Sequence, residues 1–181
     1  GSRSIGTLLE SLAEGTGTAQ RVITGDPRDL GLAGNASSAP TQRPYAAILG
    51  CSDARVPIEL IFNEGPNDLF VVRVAGNGLG SEVLGSLKYA VDHLGGSLKL
   101  VVVLGHSRCW AVLATLEELM RPRDNQSRNL RSIVDRIRPS VETLLATELR
   151  HDPDALVRQA VRANVRVSAN HLRHGSEVLE Q

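Results

Sequence analysis

Three short apolar runs, none alternating with polar residues, limit the fold more than anything else in this chain. They are Tyr45 to Gly50, Leu69 to Val74 and Leu98 to Leu104. A strand with one wet face alternates apolar and polar side chains, whereas Leu100-Val101-Val102-Val103-Leu104 offers apolar groups to both faces. Such a run fits a parallel sheet covered on both sides, and its β-branched residues suit a strand. Between the runs the apolar period lengthens to that of a helix. Ser81 to Leu94 sets Val83, Leu84, Leu87, Ala90, Val91 and Leu94 along one stripe, three and four apart. A second helix is predicted from near Ser107 through Ala111, Leu113, Leu116 and Leu119. From Asn125 onward the tail reads as helical, divided at Pro139, with Asp152-Pro153 as the N-cap and first-turn proline of a last helix. Strands alternating with helices predict an α/β class with a mostly parallel central sheet flanked by helices.

The 181 residues, 41% hydrophobic and 22% charged, suffice for one domain with a proper core. Lysine plus arginine equals aspartate plus glutamate, 20 against 20, so no global field points toward nucleic acid or an anionic membrane. No apolar run reaches the length of a membrane span, and the N-terminus lacks a signal-peptide pattern. A cytoplasmic location is therefore expected, with the soluble domain of a larger or membrane-associated protein as the alternative. Residues 1–41 contain glycine- and serine-rich stretches and are expected to form a partly helical or mobile arm ahead of the folded domain, 42–181.

Only two cysteines occur, Cys51 and Cys109. That number suits a reducing compartment, where paired thiols more often hold metal or do chemistry, although a single disulfide stays open. Cys51 follows the first apolar run, and His106 and Cys109 follow the third. Open parallel sheets bind ligands at those carboxyl ends, so neighbouring strands would bring the three side chains together. His106 and Cys109 are three apart, which on a predicted helical turn is same-face spacing. Two thiolates and an imidazole suit Zn²⁺, and a helix N-terminus would favour the Cys109 thiolate. Asp53 and Arg55 set a carboxylate and a guanidinium beside the first thiol. Taken singly, each residue has a plainer reading: a small buried hydrophobe, a satisfied loop histidine, an ordinary ion pair.

The joint pattern resembles a known family. Cys51-Ser52-Asp53-Ala54-Arg55 is similar to the C-x-D-x-R signature of β-class carbonic anhydrases, and His106-Ser107-Arg108-Cys109 to their H-x-x-C. Asp68 to Arg73, Ala75-Gly76-Asn77, Gly85-Ser86-Leu87 and Tyr89-Ala90-Val91 extend the resemblance over about Gln42 to Val112, with a weaker echo at Ala163-Asn164-Val165. It implies zinc held by Cys51, His106 and Cys109, and reversible hydration of carbon dioxide to bicarbonate by zinc-bound hydroxide. It also implies that Asp53 and Arg55 are catalytic. In one family state Arg55 holds Asp53 away from the metal; in a closed state Asp53 becomes the fourth ligand. Gln42 matches a glutamine that hydrogen-bonds substrate, and a homodimer or higher homo-oligomer is implied, since the family dimer supplies part of each active site.

Two departures stand out. Trp110 follows Cys109 where the family usually has glycine, and is read as a packing residue; Arg108, between the ligands, is read as unremarkable. The family's last edge strand would begin where this sequence stops, at Gln181. Three rival readings remain. One is a closed, non-catalytic zinc domain serving a larger protein in regulation or assembly. Another is a dinucleotide site at Ala75-Gly76-Asn77-Gly78-Leu79-Gly80, which has Ser81 where a third glycine would aid it. The last is a cysteine nucleophile paired with His106.

Overall fold

A computed structural model of the chain describes residues 41–122 and 127–179. The expected arm, 1–41, lies outside the described residues apart from its last position. The three apolar runs form three strands, β1 (Ala46–Gly50), β2 (Leu69–Arg73) and β3 (Leu100–Val103), ordered β2-β1-β3. Both pairings are parallel, with Ile48 opposite Val71 on one side and Val102 on the other. β1 lies between the other two and is buried along its whole length. Its alternate residues serve two cores: Ala47 and Leu49 pack with Val83, Leu87 and Leu172, while Ala46 and Ile48 pack with Val56 and Ile58. Two buried faces explain why the sequence runs are continuously apolar.

Five α-helices among the described residues follow the same logic: α1 (Ile58–Phe62), α2 (Ser81–Leu94), α3 (Trp110–Met120), α4 (Arg128–Val141) and α5 (Pro153–His174). The stripe predicted on α2 buries Val83, Leu87 and Ala90. Asp152 caps α5, its carboxylate accepting from the Ala155 N–H at 3.0 Å, with Pro153 in the first turn as expected. Along α5 the buried residues recur every fourth position: Leu156, Ala160, Asn164, Ser168 and Leu172. A third core joins α3, α4 and α5 and includes both cysteines.

Several expectations need correction. The second helix starts at Trp110, not near Ser107, because Arg108 takes a left-handed backbone with φ 52° that no helix can include. Arg108 is therefore not unremarkable. Pro139 does not divide the tail, since α4 runs through it to Val141. The proline comes two residues before the helix ends, so it removes one late hydrogen bond while Ile137 and Val141 stay buried. The tail is not helical throughout, since two 3₁₀ turns, Glu142–Ala146 and Glu148–His151, separate α4 from α5. Trp110 is not a packing residue within this chain: it is 78% exposed.

Candidate metal centre

The central position of β1 decides where the chemistry collects. Cys51 directly follows β1, and the His106–Cys109 loop follows the neighbouring β3. One ligand atom each from Cys51, His106 and Cys109 lie within 4.8 Å of one another. The helical same-face argument for His106 and Cys109 fails, since neither lies inside a helix. They converge because the left-handed Arg108 turns the loop back and leaves Cys109 as the N-cap of α3.

The sulfurs are 3.9 Å apart and both thiols are free, so the alternative of a disulfide is not realised here. Two sulfurs, each about 2.3 Å from one tetrahedral ion, would be separated by about 3.8 Å, so the spacing fits zinc. His106 Nδ1 lies 3.1 Å from the Ser107 carbonyl oxygen. That contact makes Nδ1 the protonated nitrogen and leaves Nε2 with a lone pair. Nε2 is buried without a hydrogen-bond partner among the described residues, the sort of orphan a metal would satisfy. The donor set, its spacing and the orphaned nitrogen all fit Zn²⁺.

The thiols respond to each other. Cys51 is held well below the ordinary thiol range, first by its hydrogen bond with Cys109, then by the backbone N–H groups of Gly76 and Asp53, against the opposing effect of burial. Cys109 is pushed up by the same pairing and by burial, although the N–H groups of Val112 and Ala111 at the start of α3 pull the other way. One proton leaves the pair readily and the second reluctantly. A dication is the natural partner that would remove both.

Asp53 stands beside this cluster but faces Arg55. Arg55 Nε donates to Oδ1 at 2.9 Å and Nη2 to Oδ2 at 2.7 Å, a two-pronged grip reinforced by the Arg55 N–H on Oδ1. Arg55 holds the carboxyl well below the usual carboxylate range. Oδ2 lies 3.8 Å from His106 Nε2. Arg55 also donates to the Arg108 carbonyl at 3.3 Å, tying the two ligand loops together.

Sequence reasoning missed how the loops are held. Arg73, at the end of β2, donates to the carbonyls of Cys51 and Asp53 at 2.9 and 2.7 Å, clamping the backbone between them. Gly76 donates its N–H to Cys51 Sγ at 3.3 Å, while its carbonyl accepts from Asn164 Nδ2 on α5 at 2.7 Å. The turn once open to a dinucleotide reading thus faces the thiol and the last helix. Arg73 and Asn164 carried a signal only as parts of the resemblance. Gln42 is exposed and sits before β1, at the opposite end of the strand from Cys51. Asn67 holds it there, accepting from the Arg43 N–H and donating to the Thr41 carbonyl. Five strand residues span about 17 Å, so Gln42 is not brought to the centre within one chain.

A family model described as carbonic anhydrase matches residues 46–181. The carbonic anhydrase of Mycolicibacterium smegmatis is 43% identical over 123 residues, covering 67% of this chain and 58% of the relative. Carbonic anhydrase 2 of Mycobacterium tuberculosis is 40% identical over 134 residues, covering 73% and 62%. The chain therefore spans less than two thirds of the length of these curated relatives. Among solved structures, one of two tetrameric β-carbonic anhydrases from Sordaria macrospora superimposes with a TM-score of 0.66 at 26% identity, over 77% of this chain and 70% of the other. The β-carbonic anhydrase CafA of Aspergillus fumigatus gives 0.63 at 29%, over 72% and 61%. Because the matched stretch includes β1 to β3 and every residue of the cysteine–histidine cluster, we conclude that this chain belongs to the β-class carbonic anhydrase family.

Proposed function

We propose that this chain catalyses the reversible hydration of carbon dioxide to bicarbonate, with Cys51, His106 and Cys109 holding zinc. The observation that carries the reading is the convergence of these three donors around an orphaned imidazole nitrogen, beside a carboxylate that Arg55 keeps to itself. Zinc held there would lower the pKa of a water toward 7 and supply a nucleophile at neutral pH. The remaining work falls to the chain. With its carboxyl held low by Arg55, Asp53 is too weak a base to keep a proton at neutral pH. Its role is to accept a hydrogen bond at Oδ2 and orient the attacking water, while the proton released on hydration goes to solvent. The two-pronged hold supports this reading over the closed, non-catalytic one, in which Asp53 must leave Arg55 to become a ligand.

Gln42 is proposed to bind substrate in an assembly, reaching the centre of a second copy, because the length of β1 separates it from its own. A homodimer or larger homo-oligomer is the proposed state, and the neighbour from Sordaria macrospora is described as tetrameric. No helix among the described residues is long and apolar enough to cross a membrane; a cytoplasmic location is kept as a proposal. Stopped-flow hydration of carbon dioxide by zinc-loaded protein tests the activity. Turnover that depends on one zinc per chain is expected; a zinc-replete protein inert across the pH range would sink the catalytic reading in favour of the closed one.

A further inference from the structure

Arg55 grips the Asp53 carboxylate, but it belongs to the same short loop and its side chain is 58% exposed. A pair of that kind can move as a unit with its loop. The bond from Arg55 to the Arg108 carbonyl is long, at 3.3 Å. The firmer tie runs to the sheet, through Arg73. This residue lies opposite Gly50 on the last rung between β1 and β2. The ladder goes one step further, with the Val74 N–H on the Gly50 carbonyl at 3.1 Å and the Ser52 N–H on the Val74 carbonyl at 3.3 Å.

From that anchored place the guanidinium of Arg73 spans the loop. Nε donates to the Cys51 carbonyl at 2.9 Å and Nη2 to the Asp53 carbonyl at 2.7 Å. A planar fork holds two acceptors at a set spacing, so it fixes Asp53 relative to a metal ligand. The Asp53 carbonyl also accepts from the Val56 N–H at 3.0 Å. On the other side of the α-carbon, the Asp53 N–H is turned to the Cys51 sulfur. With its backbone held on both sides, the carboxylate moves only by rotation about its own side-chain bonds. Oδ2 is 3.8 Å from His106 Nε2. A backbone slip of about 1 Å would be a large part of that gap, and displacements of this size are costly to catalysis.

We propose that Arg73 is a positioning residue for the hydration reaction: from β2, without touching substrate, it sets how far the Asp53 carboxylate stands from the metal ligands. The assignment rests on the hydration reading and extends it. The test is a double-mutant cycle of Arg73→Met with Asp53→Ala. Zinc-loaded protein is read by kcat and KM, and cobalt-loaded protein by its visible absorption bands. Arg73→Met keeps the apolar stem and removes every donor. With Asp53 present it should lower kcat about 10- to 100-fold at unchanged KM. It should also move the cobalt bands, as the loosened carboxylate approaches the ion. With Asp53→Ala already in place it should change neither, since no carboxylate is left to position. Arg73→Lys, a point charge in place of the fork, should fall between, and it carries the same comparison if Arg73→Met does not fold. Two results would overturn the assignment. One is no effect on the parent; the other is equal loss in both backgrounds, which would mean that Arg73 only holds the ligand loop. An inert parent would instead refute hydration, and the cobalt bands would still report whether Arg73 positions Asp53.

Discussion

Gly76 combines two demands that only glycine meets with a backbone role at the thiol. Its φ of 68° lies in the left-handed region, and a Cβ there would come within 2.5 Å of Ile137 Cδ1 and 2.9 Å of the Ala111 Cβ. Its N–H meanwhile faces Cys51 Sγ. Gly76→Ala should therefore cost about 2 to 5 kcal/mol, combining left-handed strain with overpacking, as read by urea unfolding. Bound zinc per chain should fall with it. A variant within about 1 kcal/mol of the parent would show that the turn yields easily. Arg55 acts differently, through the carboxylate it grips. Arg55→Ala frees Asp53 to approach the ligand cluster, so zinc content should hold while hydration slows about 10- to 100-fold. Unchanged turnover at unchanged zinc would remove Arg55 from the mechanism.

At the scale of elements, the metal centre rests on α5, which contributes no ligand to it. Asn164 reaches across 88 positions of sequence to the Gly76 carbonyl and stands 3.4 Å from the Ser140 hydroxyl on α4. Asn164→Ala should cost about 1 to 3 kcal/mol by leaving a buried carbonyl unpaired. Asn164→Asp keeps the volume but loses the donor and buries a charge, so it should cost at least as much. If the aspartate variant is as stable as the parent, the hydrogen bond is not what holds the turn. This bond also marks the limit of what the sequence reveals. Strand positions were legible because two buried faces demand unbroken apolar runs, and α2 because its stripe repeats on one side. The loop carrying His106 and Cys109 was misread as helix, because periodicity does not register a single left-handed residue such as Arg108. Trp110 was misread because the burial preference of an aromatic ignores that this one position of the first turn of α3 faces outward while Val112 faces the core. The ligands themselves were legible through their positions after β1 and β3; the supports, Arg73 and Asn164, depend on contacts no local pattern encodes.

For the molecule as a whole, the three donors come from two loops and close onto the core that joins α3, α4 and α5. An ion binding all three would cross-link β1, β3 and α3, and would satisfy the buried His106 Nε2. Binding that favours the folded chain adds stability by mass action, about 4 kcal/mol when the free ion exceeds its dissociation constant a thousandfold. A chain of this size shifts its melting temperature by about 2 to 4 °C per kcal/mol, so removing the metal should lower it by roughly 8 to 16 °C. Scanning calorimetry before and after dialysis against a chelator measures the shift, and adding back one equivalent of zinc should restore it. The one tryptophan, Trp110, adjoins Cys109 and is exposed, so its emission gives a second reading at the site itself. Cobalt in place of zinc should quench that emission as it restores the melting temperature. A melting temperature indifferent to the chelator, with Trp110 emission unchanged by cobalt, would mean that the three donors converge for packing rather than for an ion.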